Sequence, residues 1–377
     1  NLDLLKLAAP KTLVCHFDPR ENPGKQALYG YRVLCEQTGA QCMLEIVVES
    51  VDRYAQELRE VARLVNESGL KPVSVAVVPV GDLKSVLPGG ERPPAPPLEE
   101  LYGAARTAFP GAAIGGGMFS FFTELNRKRP PAQLLDFVTN TTCPIVHAAD
   151  DRSVMETHEA LPYQIATART YLGRTPHRVG PSAIGCRDNP HGKTFTPNPD
   201  NARICLVRMD PRQRGLFGAA WTLGYVATLA PTGVEALSIG AATGPLGVIY
   251  RKDDYAQPWF DAVGEPAVYP AFHVIAGLTR AAGAKLVSVE CSDNRALRAL
   301  AYKAKGATLL WIANATAQPQ VVTIEHSGGT MVGTMLDEDS FEQATRDPRA
   351  FQRSYREMAG NRVELGAYAV AILCVNE

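Results

Sequence analysis

The chain has 377 residues, of which 46% are hydrophobic and 20% are charged, and its formal net charge is -1. This length suits one large domain and a smaller one, and the composition is that of a globular protein with a sizeable core. The balanced charge gives no general attraction to nucleic acid or to an anionic membrane, and no run of about 18 uncharged apolar residues predicts a membrane span.

Short apolar segments alternate with segments of helical period over the first three quarters of the chain. Eight strands are predicted, at residues 12–18, 42–49, 73–80, 112–117, 135–142, 144–151, 177–185 and 234–245. Helices are predicted between most of them, and the helix after the second strand ends at Gly69. Parallel neighbouring strands need a crossover connection, so this order predicts an α/β fold, a (β/α)8 TIM barrel over residues 1–283.

The pattern changes from Lys285 onwards. Strands with turn residues between them are predicted at residues 285–292, 297–304, 308–316, 319–326 and 367–376. They predict a C-terminal antiparallel β-sandwich domain over residues 284–377. So few strands would leave one sheet poorly covered, and the chain begins with Asn1 rather than methionine. We therefore expect an N-terminal β segment, absent from this sequence, to complete the sandwich.

The eight cysteines show no Cys-x-x-Cys spacing, and several lie inside apolar runs. This usage predicts reduced, mostly buried thiols in a cytoplasmic protein, with Cys143 and Cys186 as a less favoured choice of nucleophile. There is no His-x-His, His-Glu-x-x-His or paired-cysteine spacing, so no metal and no cofactor are expected. The oligomeric state is not set by the sequence.

Active sites of TIM barrels lie at the carboxyl ends of the strands, where polar residues of this chain gather. The catalytic candidates are Glu124, His147, Asp150, Arg187 and Asp188. Carboxylates and histidine can transfer protons, and an arginine can stabilise a developing oxyanion. Each candidate also has a structural alternative.

Those alternatives concern ion pairs, caps and turns. Glu124, in an expected loop after three strand-ending glycines, could instead pair with Arg127 to hold that loop. Asp151 or Ser153 could cap the following helix, and we expect Ser153 to be the cap while His147 and Asp150 face the pocket. The Asp-Asn-Pro sequence after Arg187 is also a common turn.

A second group is predicted to bind substrate at the same rim. Its members are His16, Asp18, Glu45, Asn126, Arg127, Asp151 and Ser182. Glu45 would be costly to bury unless it points into the barrel mouth, whereas His16 and Asp18 could equally be structural. Ser182 is not in a Gly-x-Ser-x-Gly elbow, so a serine-triad esterase is disfavoured.

The order of barrel and sandwich is similar to that of clan-A-like glycoside hydrolases. Those enzymes usually have Asn-Glu at strand four and a nucleophilic glutamate at strand seven. Here Thr123 precedes Glu124, and the predicted seventh strand contains Ser182 and no glutamate.

The sequence more closely resembles the D-apionate lactonase family. The segments "AFPGAAIGGGMFSFFTELNRKRPP", "CPIVHAADDRSVMET", "VGPSAIGCRDNPHG" and "MDPRQRGLFGAAW" look like that family's barrel segments. The resemblance implies hydrolysis of a sugar lactone, D-apionolactone, to D-apionate in D-apiose catabolism. It also implies an upstream β-domain.

Three functions are therefore carried forward. The first is a hydrolase that opens a sugar lactone by acid/base-assisted attack of water. The alternatives are a glycoside hydrolase with paired carboxylates and a carbohydrate-binding barrel without catalysis. In each case the partner is a small molecule.

Overall fold

The computed structural model describes residues 1–21, 24–304, 306–325, 330–358 and 360–376. The helices are α1 (Leu2–Ala8), α2 (Gly24–Thr38), α3 (Tyr54–Ser68), α4 (Leu98–Ala108), α5 (Phe122–Lys128), α6 (Asp151–Glu156), α7 (Leu161–Leu172), α8 (Leu216–Leu229), α9 (Pro258–Val263), α10 (Ala271–Thr279), α11 (Phe341–Arg346) and α12 (Pro348–Phe351). The strands are β1 (Thr12–Phe17), β2 (Gln41–Val48), β3 (Pro72–Pro79), β4 (Ala113–Phe121), β5 (Phe137–Thr141), β6 (His177–Ser182), β7 (Ala236–Ile239), β8 (Leu286–Val287), β9 (Leu297–Ala304), β10 (Ala307–Asn314), β11 (Gln320–Thr323), β12 (Met331–Leu336), β13 (Arg356–Glu357), β14 (Arg362–Leu365) and β15 (Val370–Asn376).

The first seven strands form one parallel sheet in the order β1 to β7. Every pair of neighbours is parallel, and at least one helix crosses between each strand and the next. This is the arrangement of a TIM barrel, so the predicted α/β barrel is confirmed. In the described part of the chain the parallel sheet has seven strands rather than the predicted eight.

The prediction of a strand at residues 144–151 is wrong. This segment is a loop between β5 and α6, and it opens with Pro144, which has no backbone N–H to donate to a ladder. The Ile145 carbonyl accepts a hydrogen bond from Leu206 N, in another loop, at 2.9 Å. The last predicted barrel strand is also shorter than expected, because β7 ends at Ile239 and Gly240 follows with φ of 66°.

Three glycines were expected to end the fourth strand, but β4 continues through them to Phe121. Gly115 leaves room for the Phe137 ring, since a Cβ there would lie 2.2 Å from the ring. Gly117 adopts φ of 121°, where a Cβ would lie 2.1 Å from the Thr139 carbonyl oxygen. The expected loop that carries Glu124 is therefore the short helix α5, which begins directly after the strand.

The two faces of β2 are buried in different ways. Met43 and Val47 pack with Phe119 and Phe137 inside the barrel, whereas Leu44 and Ile46 belong to the cluster that the outer helices cover. Since successive strand residues point to opposite faces, Glu45 points into the barrel with Met43 and Val47. Its neighbour across the sheet is His16 of β1.

The residues after α10 form two antiparallel sheets. One has the strand order β13-β12-β15-β10-β9-β8, and the other pairs β11 with β14. The predicted antiparallel sandwich is confirmed, although β12, β13 and β14 were not predicted. Of the strand expected at residues 319–326, β11 covers residues 320–323, and His326 lies outside the described residues.

The described helices include none that combines the length and the apolar character needed to cross a membrane.

Candidate active site

Glu45 is fully buried inside the barrel and is held by two basic side chains. Arg187 donates hydrogen bonds from Nη1 to Oε1 at 3.3 Å and from Nη2 to Oε2. His16 Nδ1 lies 3.1 Å from Oε2. Burial raises the pKa of Glu45, but the charge of Arg187 and the hydrogen bonds outweigh burial and bring the pKa below its usual value. Glu45 is therefore an ionised group that orients Arg187 and His16.

Asp18 is buried at the end of β1 and is locked to Arg20. The Arg20 Nε donates to both carboxylate oxygens, at 2.9 and 3.2 Å. Burial raises the pKa of Asp18, but the bonds from Arg20 outweigh it and lower the pKa overall. Arg20 also interacts electrostatically with Asp188, so the β1 and β6 ends of the rim meet here.

Glu124 is the buried carboxylate that lacks such a partner. It lies in the first turn of α5 with 1% of its surface exposed, and neither carboxylate oxygen has a hydrogen-bond partner among the described residues. Arg127 Nη1 is 4.0 Å from Oε1, outside hydrogen-bond distance, because Arg127 bonds to Val86 O at 2.7 Å instead. The lone pairs of Glu124 are thus left for another group, such as a water molecule or a substrate hydroxyl.

Asp188 is a second partly unsatisfied carboxylate. Its Oδ1 accepts a hydrogen bond from Asn189 N at 2.8 Å, which is the turn expected of Asp-Asn-Pro. Its Oδ2 is buried without a hydrogen-bond partner among the described residues. Asp188 therefore uses one carboxylate oxygen to form the turn and still has the other oxygen available for a ligand.

The segment 187–192, which follows β6, brings the separate parts of the rim together. Arg187 reaches Glu45 of β2, and the carbonyls of Asn189 and Pro190 bind the loop after β3 through Lys84 Nζ at 3.0 Å and Ser85 N at 2.9 Å. Ser85 Oγ in turn accepts from Arg127 at 3.3 Å, so this chain of contacts runs on to α5. This loop therefore links the ends of β2, β3 and β4 at one rim of the barrel.

The three predicted site residues that follow β5, His147, Asp150 and Asp151, have different environments in the structure. His147 is exposed, and its ring lies 6.2 Å from that of His191 in segment 187–192. Asp150 is exposed and is the N-cap of α6, accepting from Ser153 N at 2.9 Å, so the expectation that Ser153 caps this helix is wrong. Asp151 forms ion pairs at 2.6 Å with Arg203 and at 3.1 Å with Arg212.

Three predicted substrate-binding residues have structural partners of their own. Ser182 is buried, and its Oγ accepts from Tyr225 OH at 3.0 Å and from Thr142 N at 3.0 Å, on the side of the outer helix α8. Asn126 Oδ1 accepts from Arg129 at 3.2 Å, and Arg127 holds the loop after β3 as described. These contacts leave Ser182 poorly placed to reach a ligand in the barrel mouth.

A buried basic group behind Glu124 was not predicted. Lys128 of α5 lies 3.4 Å from the buried Asp82 and donates to Lys84 O at 2.8 Å. Burial lowers the pKa of Lys128, and the nearby Asp82 and Glu124 only partly oppose this. The "Val-Gly-Asp" sequence directly after β3 was the signal that could have identified Asp82 as a rim residue.

Two cavities lie away from this cluster. One of about 700 Å³ lies between the barrel and the C-terminal sheets and is lined in part by Asp151, Arg212 and Tyr368. The other, of about 530 Å³, adjoins it and includes Asp150. The carboxylates of Asp150 and Asp151 are occupied by a cap and by ion pairs, so we place the candidate site at the barrel mouth, where Glu124 and Asp188 have unpaired oxygens.

Among the described residues, those at the rim include no group of three or more side chains placed to hold a metal ion. The described part of the chain contains one group of three or more side chains that could hold a metal ion, namely Cys15, Cys35 and Cys42. Cys15 and Cys42 belong to the cluster between the sheet and the outer helices, on the opposite face of β2 from Glu45. The mouth therefore offers acid/base and electrostatic chemistry, with Glu124 and Asp188 as proton acceptors or donors and Arg187 as the cation.

Comparison with known families gives matches over both parts of the chain. Residues 1–283 match the model of the D-apionate lactonase TIM barrel domain, and residues 294–373 match that of the D-apionate lactonase C-terminal immunoglobulin-like domain. A curated D-apionate lactonase of Brucella anthropi is 36% identical over 355 residues, which are 94% of this chain. The chain spans 54% of the length of that relative.

Solved structures with a similar fold include two xylanases of glycoside hydrolase family 30. The endoxylanase of Clostridium papyrosolvens is 9% identical, with a TM-score of 0.55, and the match covers 97% of this chain and 89% of the xylanase. The subfamily 8 xylanase of Clostridium acetobutylicum is 10% identical, with a TM-score of 0.56 and coverage of 100% and 91%. At these identities the similarity concerns the fold alone.

Proposed function

Because the chain belongs to the D-apionate lactonase family, we propose that it carries the site of a hydrolase that opens a sugar lactone, with D-apionolactone as substrate and D-apionate as product. The observation that supports this most is the buried carboxylate of Glu124, which has no hydrogen-bond partner among the described residues. It lies on α5 directly after β4, at the same end of the barrel strands as Arg187 and the half-satisfied Asp188 after β6. This reaction would belong to D-apiose catabolism.

The first step in the proposed mechanism is activation of water. A lactone is an internal ester, so water must add to its carbonyl carbon before the ring C–O bond breaks. Glu124 accepts a proton from the attacking water, since both of its oxygens are free of other hydrogen bonds among the described residues.

The second step needs a positive charge and a proton donor. The hydrogen bonds of the Arg187 guanidinium to described residues use Nη1 and Nη2, which leaves Nε–H for the tetrahedral oxyanion. The proton that Glu124 took from water is relayed through Asp188, or through His16 held by Glu45, to the ring oxygen as the C–O bond breaks. The product is the open hydroxy acid, and no other group is consumed.

The remaining rim residues serve binding and positioning in this proposal. Glu45 and Asp18 are locked in ion pairs, so they act through Arg187, His16 and Arg20. Asn126, Arg127 and His147 are the exposed or half-buried groups that could contact sugar hydroxyls. A purely carbohydrate-binding barrel is less well supported, because the buried Glu124 carboxylate and the buried Oδ2 of Asp188 are kept without hydrogen bonds from the described residues, at a cost in stability.

The test is a pH-stat assay of the purified chain against a panel of aldonolactones that includes D-apionolactone, with aryl glycosides as the second substrate class. Acid release from D-apionolactone above the rate of spontaneous hydrolysis supports the proposal. Cleavage of aryl glycosides without lactone hydrolysis would support a glycoside hydrolase instead. Binding of the lactones without turnover would support the carbohydrate-binding alternative.

A further inference from the structure

Three cysteines from three successive elements meet on the outer face of the barrel sheet. Cys15 lies on β1, Cys35 on α2 and Cys42 on β2, and their Sγ atoms all lie within 4.8 Å of one another. In the strand register Cys42 pairs with Leu13 and Cys15 with Leu44, so the two strand thiols are diagonal neighbours. The helix places the third thiol over them.

We propose that Cys15, Cys35 and Cys42 form a three-thiolate binding site for a thiophilic d10 cation such as zinc. Zinc–sulfur bonds of about 2.3 Å place tetrahedral sulfur ligands about 3.8 Å apart. The three thiols thus need to approach one another by about 1 Å or less, which side-chain rotation can supply. The ion would join β1, α2 and β2 of one βαβ unit, on the face of the sheet opposite the candidate active site.

The burial of the three side chains suits a metal site with one entry path. Cys15 and Cys42 are 3% and 2% exposed, whereas Cys35 is only half-buried. A cation can therefore arrive at Cys35 from the solvent side of α2 and be held by the two deeper thiols. Three cysteine ligands leave a fourth coordination position that can take a water molecule, as in other zinc sites with three protein ligands.

The charge balance also favours binding. Zinc binds cysteine as the thiolate, so a divalent cation held by all three sulfurs displaces the thiol protons. The cation offsets two of the three thiolate charges, and the bound cluster then carries a net charge of -1.

The spacing of these cysteines explains why no zinc motif is visible in the sequence. Nineteen residues separate the first pair and six the second, because the ligands come from a strand, a helix and the next strand. A dedicated zinc site was not expected on the basis of local spacing. The grouping of the three thiols in space changes that expectation for this face of the barrel. The proposed zinc site does not depend on the proposed lactonase activity.

The experiment uses the full chain, reduced and freed of metal with a chelator under anaerobic conditions. Titration with Cd²⁺ is followed by thiolate-to-cadmium charge-transfer absorption and by cadmium-113 NMR, and bound Zn²⁺ is measured by mass spectrometry after desalting. We expect one equivalent of tightly bound metal and a cadmium resonance typical of three sulfur ligands.

Matched variants separate this site from the other thiols. Cys35→Ala changes a half-buried residue, and we expect it to weaken binding by more than the ~10–100-fold typical for loss of an outer-shell partner. Cys205→Ala and Cys143→Ala should still bind one equivalent of metal tightly. The Cys143 thiol contacts Cys186 Sγ at 3.2 Å and the Ile184 carbonyl at 3.5 Å, away from the three proposed ligands. Circular dichroism checks that each variant is folded.

Two results would overturn the proposal. One is cadmium binding to the unsubstituted chain that is no tighter than to Cys35→Ala. The other is a reduced chain that takes up no metal but, after oxidation, yields a disulfide among these three cysteines on peptide mapping. The NMR measurement on the unsubstituted chain gives an answer even where a variant does not fold.

Discussion

Replacement of Glu124 by glutamine separates a catalytic carboxylate from a structural ion pair. The side chain is 1% exposed, its oxygens lack hydrogen-bond partners among the described residues, and Arg127 stands 4.0 Å away. Glutamine has nearly the same shape but cannot take a proton from water. General acid–base help contributes about 10²–10⁴-fold, so we expect kcat for lactone opening to fall by that factor, or about 2.7–5.4 kcal/mol in activation free energy.

The same substitution should not weaken folding. A buried carboxylate without hydrogen bonds costs free energy, so its replacement by a neutral amide should leave the free energy of unfolding unchanged or raise it. Glu99→Gln, which alters an exposed carboxylate on α4, is the matched control for activity in the pH-stat assay and for stability in urea. Full activity of Glu124→Gln, or lost activity together with a large loss of stability, would show that the reasoning about Glu124 is wrong.

Other substitutions test single rim residues and one buried histidine away from the rim. Arg187→Ala leaves the buried charge of Glu45 without its main partner, so the free energy of unfolding in urea should fall by about 3 kcal/mol, and replacing both residues by leucine should recover much of this loss. Asp150→Ala removes a helix cap and should cost about 1 kcal/mol of stability with kcat unchanged, whereas Asp188→Asn should lower kcat in the same lactone assay. Burial lowers the pKa of His158 from 6.5 to about 3, so the unfolded chain takes up a proton that the folded chain refuses, and stability should fall as the pH drops from about 6.5 towards 3. In urea titrations between these pH values, His158→Leu should reduce the slope of the free energy of unfolding against pH by up to about 1.4 kcal/mol per pH unit. An unchanged slope would show that His158 is not the group responsible.

The barrel was predictable from its strands because a buried parallel strand is a continuous apolar run. The segment 144–151 was misread for the same reason, since Pro144, Ile145 and Val146 imitate the start of such a strand. Its hydrogen bonds go to the loop after β6, a long-range pairing that no local pattern contains. The length of β4 was also hidden, because glycines that usually end strands here make room for Phe137 and Thr139.

The candidate site was predictable as a set of residues but not as a set of contacts. The rule that polar residues after parallel strands meet at one rim brought Glu45, Glu124 and Arg187 into the same list. The pairing of Arg187 with Glu45, which are 142 positions apart, depends on how the loop after β6 crosses the mouth. The inward direction of Glu45 was predicted from the cost of burying an unpaired carboxylate. The outward contact of Ser182 with Tyr225 was not predicted, and it follows an irregularity in β6 between Val179 and Ser182.

A crystal structure of the Glu124→Gln variant soaked with D-apionolactone tests the central proposal most directly. We expect electron density for the lactone at the carboxyl ends of the strands, with its carbonyl carbon facing the substituted side chain and its carbonyl oxygen near Arg187. A lactone bound only in the cavity beside Arg203 and Arg212, with the barrel mouth empty, would contradict the account.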